Sequence, residues 1–367
     1  DRPTYHIHGR DSFGLRAFLG LLIAILTQWL NQFITKLESG VSPVAVSNHI
    51  VLLGWTHRTP TIVKQLLRSG KRAERFLKKR GARSLGVVIL AENTNQDLMN
   101  ELKERLGPLW NDRQVMMRSG TPLLVEHLER VAFREAAVLI LPGADFAEQS
   151  PGVVDAETIK TLLSVSKHIE ASGSQYPLVV AGLFDASRSA IARKAYSGDN
   201  EIVATDEIVA RLIAQSMRQK GLASVFFELL TPQVGNAFNV RSHEEFADLQ
   251  FVELRIRFPH AIVLGTVRHG DLKPALNPDP YNRIREGDLL VFIARSYDDC
   301  APGPAVPVGY IRAKKIAPRP VSEDDRRVLI LGWSSKVPSL LQELERYGGE
   351  SLKIDVASLK PVEERKK

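Results

Sequence analysis

Cysteine is almost absent from this sequence, since Cys300 is the single thiol in 367 residues. One cysteine cannot form a disulfide within the chain, and such low usage is typical of proteins that fold in a reducing compartment. We therefore expect this region to lie in the cytoplasm or an equivalent reducing space. Its stability must come from a packed core, for which the chain is long enough.

The sequence also lacks the short motifs that mark common catalytic centres. No Walker phosphate-binding loop, HExxH zinc motif or GxSxG nucleophile turn occurs, and the nine histidines show no metal-ligand spacing. The sequence therefore gives no motif support for an enzyme, and we do not expect catalysis.

Glycine is missing where a dinucleotide site would need it. A Gly-x-Gly-x-x-Gly turn lets the backbone approach a pyrophosphate at a helix N-terminus. Residues 54–59 read GWTHRT and keep only the first glycine, so conventional NAD binding is not expected. An acidic residue at the end of the second strand could reach a ribose or simply cap a helix. The candidates for lining a ligand crevice are Gly54, Trp55, Thr56, Glu92 and Gly120.

What the sequence does contain is one structural unit that begins twice. Residues 49–55 read HIVLLGW and residues 327–333 read RVLILGW, and the stretches TPTIVKQLLRSG and VPSLLQELERYG follow them. Each copy predicts a buried strand, a tight turn at glycine and an amphipathic helix, which is how a doubly wound α/β domain opens. The repeat indicates a duplicated Rossmann-like unit whose second copy is cut short.

Between the two copies, short apolar runs alternate with helical patterns. Strands are expected at 84–92, 114–120, 136–143 and 176–184, and helices at 96–106, 122–131, 154–169 and 187–196. This alternation predicts a parallel sheet wrapped by helices. Two further helices follow from Thr205, and their apolar side chains fit either a core face or a contact between subunits.

The pattern changes after residue 231. The turn signals Gly270-Asp271 and Gly287-Asp288 belong to a small α+β lobe, and five prolines between 302 and 320 predict a linker. The expected domains are 1–40, a membrane helix with its flanks; 41–204, a Rossmann-like lobe; 205–231, crossover helices; 232–300, the small lobe; 301–326, the linker; and 327–367, the start of the second Rossmann-like unit.

The N-terminal region looks the least soluble. Residues 17–35 carry no charge, and as a helix they would be about 28 Å long, close to the hydrocarbon thickness of a bilayer. Polar residues in the second half suit a helix that lines a pore, while a helix buried in a soluble protein is the alternative. The residues expected in the pore helix are Gly20, Ile23, Thr27, Gln28 and Asn31.

Positive charge is in excess, with a formal net charge of +7. Much of it lies in one run, residues 71–83, for which two interpretations stay open. The run is either a solvated helix face or a contact with phospholipid headgroups. We expect membrane lipids and no nucleic acid among the partners.

Five segments between about residue 40 and residue 333 carry a resemblance to a known family, and they read SNHIVLLGW, RSGTPLLVEHLERV, ATDEIVARLIAQSMRQKGLASVF, LNPDPYNRIREGDLLVFIA and VLILGW. They resemble the RCK (regulator of K⁺ conductance) gating ring of ion channels, and in particular the CASTOR/POLLUX (DMI1/SYM8) family. The stretch GTVRHGDLKPALNPDPYNRIREGDLLVFIA also resembles the small lobe of TrkA-type potassium-uptake regulators.

The resemblance implies a subunit of a tetrameric, ligand-regulated cation channel that is permeable to K⁺ or Ca²⁺. Residues 18–35 then correspond to the inner pore helix, and residues 41–48 form the link that carries ring movement to the pore. The crossover helices would provide the contacts between subunits. The interface candidates are Ile208, Leu212, Ile213, Met217 and Phe226.

The resemblance also introduces calcium as a regulator. Acidic residues follow the fourth strand, where the ligands of parallel sheets bind, and carboxylates suit a hard cation. The candidates are Asp145, Glu148, Asp155 and Glu157. Alternatively, the last two only stabilise the N-terminus of the following helix.

The alternative function is a TrkA-like nucleotide-binding regulatory subunit of a potassium transporter. Residues 17–35 separate the two hypotheses, because a channel subunit needs this helix in a bilayer and a soluble regulator needs it packed against protein. A third class, an NAD-dependent oxidoreductase, has no support in the turn at residues 54–59.

Overall fold

The computed structural model describes residues 18–30, 40–69, 75, 78, 81, 84–92, 94–143, 150–231, 235–269, 273–305, 326–346 and 352–365. The chain divides into two compact units, Asp1–Ala204 and Thr205–Lys367. Residues 18–30 form a helix, here named α1. Within the ranges just given, no helix combines the length and the apolarity that crossing a membrane requires.

The first unit is built on a six-stranded parallel sheet. Its strands are β1 (Ile50–Leu53), β2 (Val87–Ala91), β3 (Val115–Ser119), β4 (Val138–Leu141), β5 (Leu178–Leu183) and β6 (Asn200–Ala204). In space they follow the order β3-β2-β1-β4-β5-β6, and every neighbouring pair is parallel. The order reverses between β1 and β4, so the sheet is doubly wound, as the strand-turn-helix pattern predicts.

Helices connect these strands, and local sequence sets several of their ends. They are α2 (Thr59–Arg68), α3 (Gln96–Leu106), α4 (Val125–Arg130), α5 (Pro151–Ser172) and α6 (Ser189–Ala195). Asn95 caps α3 by accepting the N–H of Leu98 at 2.8 Å, and Pro151 lies in the first turn of α5. Compared with the prediction, α5 is longer at both ends and α4 is shorter, because residues 121–124 form a turn.

The central strands are buried on both faces. In β1, Val51 and Leu53 belong to one apolar cluster, while Ile50 and Leu52 belong to the other. Successive side chains of a strand point to opposite faces, so burial on both sides requires a continuous apolar run. Each fully buried aliphatic side chain contributes roughly 1.5–3 kcal/mol, which makes burial of the sheet a large stabilising term.

The second unit begins with two helices, α7 (Thr205–Arg218) and α8 (Leu222–Leu230). The strands β7 (Ala237–Ser242), β8 (Ile262–Val267), β9 (Pro274–Leu276) and β10 (Leu289–Ala294) then form an antiparallel sheet, with the short helix α9 (Phe251–Leu254) between β7 and β8. The order of this sheet is β7-β10-β8-β9. This is the small lobe that the turn signals predict.

A histidine lies at the centre of the small lobe's core. The ring of His243 is 5.3 Å from that of Phe258 and 5.8 Å from that of Phe292, centre to centre. Its two nitrogens lie 2.9 Å from Oε1 of Glu245 and 3.0 Å from the carbonyl oxygen of Cys300. The hydrogen bond with His243 holds the pKa of Glu245 below its ordinary value. His243 therefore connects the end of β7 to the C-terminal end of the lobe.

The last described segments repeat the opening of the first unit. The strand β11 (Arg326–Leu331), the helix α10 (Lys336–Glu345) and the parallel strand β12 (Leu352–Ala357) are followed by α11 (Val362–Arg365). Gly54 after β1 has φ 115° and Gly332 after β11 has φ 98°, a region that L side chains avoid. The repeated sequence is therefore a repeated backbone turn. The expected fold class, a Rossmann-like lobe with a small α+β lobe and a second Rossmann-like start, is confirmed.

Candidate functional site

The candidate crevice lies where the strand order of the first unit reverses. Open α/β sheets bind ligands at this point, outside the carboxyl ends of the strands. Here the ends of β1 and β4 frame it, and they are followed by Gly54 and by Pro142-Gly143. Gly143 has φ 74°, and a Cβ on it would lie 3.2 Å from the carbonyl oxygen of Gly182. The loop after β4 is therefore held close against β5.

Two N–H groups in the turn between β1 and α2 are satisfied by threonine side chains. Oγ1 of Thr59 accepts the N–H of Thr56 at 3.0 Å, and Oγ1 of Thr56 accepts the N–H of Arg58 at 3.2 Å. Both threonines are buried. In a dinucleotide site, the N–H groups of this turn face the pyrophosphate. Here a phosphate in the same position would have to break the two hydrogen bonds that the threonine side chains accept.

Arg58 lies across the mouth of the crevice, and the sequence motifs did not single it out. Its guanidinium carbon is 5.6 Å from the ring centre of Phe184, after β5, and its Nη1 is 3.5 Å from the carbonyl oxygen of Pro142, after β4. A positive charge beside a helix N-terminus favours an anionic ligand. The signal in the sequence is an arginine placed directly before the Thr-Pro start of α2.

The other predicted crevice residues share one edge of the sheet but do not share one role. Gly54 has open space where a Cβ would lie, while Trp55 packs, partly buried, against the apolar core. Glu92 is exposed at the end of β2. Gly120, after β3, serves close packing, because a Cβ there would lie 2.6 Å from Cβ of His127.

Asp155 is the cation-ligand candidate with the best-defined surroundings. It is fully buried, its Oδ1 accepts the N–H of Phe184 at 2.8 Å, and its Oδ2 accepts the N–H of Asp185 at 3.0 Å. Nη1 of Arg188 lies 4.0 Å from Oδ2. The carboxylate therefore fastens α5 to the end of β5, and both of its oxygens already accept a backbone N–H.

The remaining acidic candidates do not join Asp155 in a cluster. Glu157 is two residues further along α5, so it lies about 200° around the helix from Asp155. Asp145 and Glu148 lie outside the described residues. Across the part of the chain that the structure describes, no group of three or more His, Cys, Asp or Glu side chains could hold a metal ion. The four-residue cation site stays a prediction, and its two described members do not converge.

The predicted interface residues are mostly exposed in the single chain. On α7, the exposed fractions are 53% for Ile208, 47% for Ile213 and 42% for Met217. Leu212 on α7 and Phe226 on α8 are half-buried. Three strongly apolar side chains on one helix are thus open to water.

The next helix adds exposed apolar side chains that the sequence analysis did not select. On α8, Phe227 is 70% exposed and Leu230 is 69% exposed. Within the same unit, α7 also packs against α10, where Nε of Arg211 is 3.7 Å from Oε2 of Glu343. One side of α7 therefore meets the unit's own fold, and its exposed apolar side has the character of a subunit contact.

The pore-helix candidates fall in α1, except Asn31, which lies outside the described residues. Gly20, Ile23, Thr27 and Gln28 are all helical and exposed. Large apolar side chains are exposed along the whole of α1, with Ile23 at 61%. A helix that is apolar on all sides is typically buried in a protein or membrane interior.

The link predicted at residues 41–48 runs from the carboxyl edge of the sheet to its amino edge. At the carboxyl edge, Ser119 at the end of β3 donates its N–H to the carbonyl oxygen of Gly40 at 3.0 Å. At the amino edge, Asn48 just before β1 donates its N–H to the carbonyl oxygen of Glu135 at 2.7 Å. Between these points Val44 is buried in the core. A groove of about 600 Å³ is lined by residues 43–47 of the link and by residues 129 and 132–135.

The link is followed at once by a buried histidine, His49. Its Nε2 lies 2.8 Å from the carbonyl oxygen of Val131, and its Nδ1 meets no hydrogen-bond partner among the described residues. Burial lowers the pKa of His49 below its ordinary value, while the hydrogen bond to Val131 and the charge of Glu135 oppose this shift. Because a carbonyl oxygen can only accept, Nε2 is the donor in the hydrogen bond to Val131.

Comparison with known proteins connects these features to a family. Residues 206–309 match the family described as "Castor and Pollux, part of voltage-gated ion channel". The chain is 26% identical over 360 residues to the probable ion channel POLLUX of Arabidopsis thaliana, and 25% identical over 363 residues to the ion channel DMI1 of Medicago truncatula. Each match covers 97% of this chain, and 41% and 38% of those proteins. The chain thus spans about two fifths of the length of these relatives.

The fold has a counterpart among solved structures. The human SLO3 gating ring superimposes with a TM-score of 0.53 at 17% identity, over 84% of this chain and 63% of that one. A likeness at this identity concerns the fold alone, and it agrees with the doubly wound lobe described above. By the match over residues 206–309 and by similarity to the plant proteins along nearly its whole length, the chain is similar to the CASTOR/POLLUX ion channels.

Proposed function

We propose that this chain is the ring-forming regulatory part of a ligand-regulated cation channel that passes K⁺ or Ca²⁺. Four copies form the gating ring, α1 belongs to the pore within a lipid membrane, and the first unit lies in the cytoplasm or an equivalent reducing compartment. The observation that carries this proposal is the similarity, along 97% of the chain, to proteins named as ion channels.

The geometry of the first unit supports a route from ligand to pore. A ligand shifts a conformational equilibrium only if it binds the two arrangements with different affinity. The positive charge of Arg58 favours an anionic ligand at the ends of β1 and β4. The end of β3, at the same edge of the sheet, is hydrogen-bonded to Gly40 at the start of the link. A ligand that changes the spacing of the strand ends would therefore move the link.

We keep Ca²⁺ in the proposal as a regulating cation, with two of the four predicted carboxylates as its ligands. Asp145 and Glu148 follow β4, which borders the crevice, and their carboxylates suit Ca²⁺. We leave Asp155 out of this set, because both of its oxygens already accept backbone N–H groups.

Membrane association of α1 is the test that separates the channel from a soluble TrkA-like regulator. The full chain should float with liposomes made of neutral and anionic phospholipids. The double variant Ile23→Lys/Leu26→Lys, which places two charges on the apolar surface of α1, should remain in the dense fraction with an unchanged circular dichroism spectrum. A full chain that stays monodisperse without detergent and ignores the liposomes would contradict the membrane assignment and favour the soluble regulator.

Conduction itself is tested with the reconstituted protein. In planar bilayers that protein should pass K⁺ or Ca²⁺. The substitution Arg58→Ala should shift the dependence of opening on added ADP or Ca²⁺ without changing single-channel conductance, because Arg58 belongs to the ring. A changed conductance with unchanged ligand dependence would remove Arg58 from the regulatory role.

A further inference from the structure

The end of β3, the helix α4 and the link form one hydrogen-bonded junction. Arg118, in β3, donates from Nε to the carbonyl oxygen of Ser42 at 2.6 Å. Arg130, in α4, donates from Nη1 to the carbonyl oxygen of Ser119 at 2.5 Å. The carbonyl oxygen of Arg130 in turn accepts the N–H of Val44 at 3.0 Å. Two successive stretches of the link are thus attached to neighbouring elements of the lobe.

Arg118 directs its charge at main-chain oxygens. Besides Ser42, its guanidinium reaches the carbonyl oxygen of Met117, which accepts from Nη1 at 2.7 Å. The side chain is half-buried, and this partial loss of water lowers the pKa of Arg118 below its ordinary value. Hydrogen bonds from a charged donor are stronger than those between neutral groups, so the bond to Ser42 is a firm attachment for the link.

The start of the link fits tightly against the same edge of the sheet. Gly40 has φ +64°, and a Cβ on it would lie 3.0 Å from Oγ1 of Thr94 and 3.1 Å from the backbone nitrogen of Ser119. Oγ of Ser119 also donates to the carbonyl oxygen of Glu92 at 3.2 Å. The beginning of the link therefore touches the ends of both β2 and β3, which is the edge where such sheets bind ligands.

We propose that Arg118 is a positioning residue that latches the link to the carboxyl edge of the sheet, so that a displacement of the ends of β2 and β3 passes directly to the link. The other end of the link is held separately, through Asn48 to Glu135 and through His49 to Val131. The two ends of the link are thus held by separate groups. The latch is a property of the first unit alone, whereas its use in gating rests on the proposed function.

Hydrogen exchange in the full chain tests the latch without any assumption about a channel. In Arg118→Ala, the amides of Val44 and Ser119 should exchange about tenfold faster, the scale expected for the loss of one charge-assisted hydrogen bond. The amide of Asn48 should keep its wild-type rate. Arg118→Lys, which restores a charged donor, should recover most of the protection. Arg113→Ala removes an exposed arginine just before β3 and is the matched control.

A second variant keeps the test decisive if Arg118→Ala does not fold. Gly40→Ala places a methyl group against Thr94 and Ser119 without changing any side chain of β3, and it should produce the same pattern of faster exchange. Wild-type exchange of Val44 in both variants, with native circular dichroism, would overturn the latch. A latch confirmed by exchange in a chain that ignores liposomes would leave the latch standing and overturn only the channel function.

Discussion

The buried carboxylate of Asp155 accepts the backbone N–H of Phe184 at 2.8 Å and so joins α5 to the end of β5. Its second oxygen accepts the next N–H in the chain, at 3.0 Å. The guanidinium of Arg58 lies over the ring of the same phenylalanine. The hydrogen bond that Phe184 donates to Asp155 therefore helps to fix the position of one side of the candidate crevice.

Asp155→Asn should lower the free energy of unfolding by about 1–3 kcal/mol, the usual cost of leaving a buried polar group without its partner. An amide has one acceptor oxygen and would present its NH₂ group to an N–H donor. Urea denaturation followed by circular dichroism measures the change. Glu157→Gln, on the same helix but half-buried, is the control and should change stability by less than about 0.5 kcal/mol. Wild-type stability of Asp155→Asn would show that the carboxylate does not fasten α5.

The first unit should lose stability as the pH falls below 6.5. Burial holds the pKa of His49 in the folded chain below its unfolded value of 6.5, so the unfolded chain binds more protons as the pH falls through that value. Above pH 6.5, the neutral imidazole of His49 makes its full contribution to the free energy of unfolding. This contribution is lost progressively as the pH falls from 6.5 to the pKa of His49 in the folded chain.

The matching variant is His49→Gln, which keeps a side-chain N–H donor but does not titrate. Unfolding free energies from urea titrations between about pH 7 and pH 5 should fall less steeply for this variant than for the wild type. His168→Gln, the same substitution at a half-buried histidine on α5, is the control for replacing an imidazole by an amide. Equal slopes for wild type and His49→Gln would exclude His49 as the origin of the acid sensitivity.

The exposed apolar surface of α7 and α8 should hold copies of the chain together. Ile213→Asp and Phe227→Asp would each bury a charge without a partner in that contact, so light scattering should report smaller assemblies. Ile191→Asp, at an isoleucine that is 60% exposed in the first unit, is the matched control and should leave the mass unchanged. An unchanged mass for the α7 and α8 variants, with the fold intact, would place the contact elsewhere.

Calcium binding should depend on the loop after β4. Isothermal titration of the full chain with Ca²⁺ should give a binding heat, which the double variant Asp145→Asn/Glu148→Gln should abolish, because a hard cation needs carboxylate oxygens. Titration with Mg²⁺ tests selectivity, and Glu157→Gln is the control among the acidic candidates. A calcium heat that survives the double variant would rule out this loop as the site.

Local structure was predictable wherever neighbouring residues encode it. The helix α3 was expected at residues 96–106 and is found there, because Asn95 caps its start and Gly107 ends it. The repeated turn at Gly54 and Gly332 was visible for a similar reason, since only glycine adopts those φ values easily. The start of α5 was placed too late because Pro151, a favourable first residue of a helix, was not used as a signal.

The candidate site was only partly predictable. Its place at the carboxyl edge follows from the strand-turn-helix pattern, yet the roles of single residues do not. Arg58 was missed because its partners, Pro142 and Phe184, come from two other strand ends. The surroundings of Asp155 were not predictable, because the sequence does not reveal which N–H groups its oxygens meet.

The sequence by itself determined the alternation of strands and helices, the repeated unit and the apolar character of residues 18–30, because each is written in consecutive residues. Only the tertiary structure decided that Arg118 meets Ser42, 76 positions away, and that Asp155 meets Phe184, 29 positions away. Such contacts depend on which strand ends lie side by side. That arrangement follows from packing the whole sheet against its helices, and no local pattern contains it.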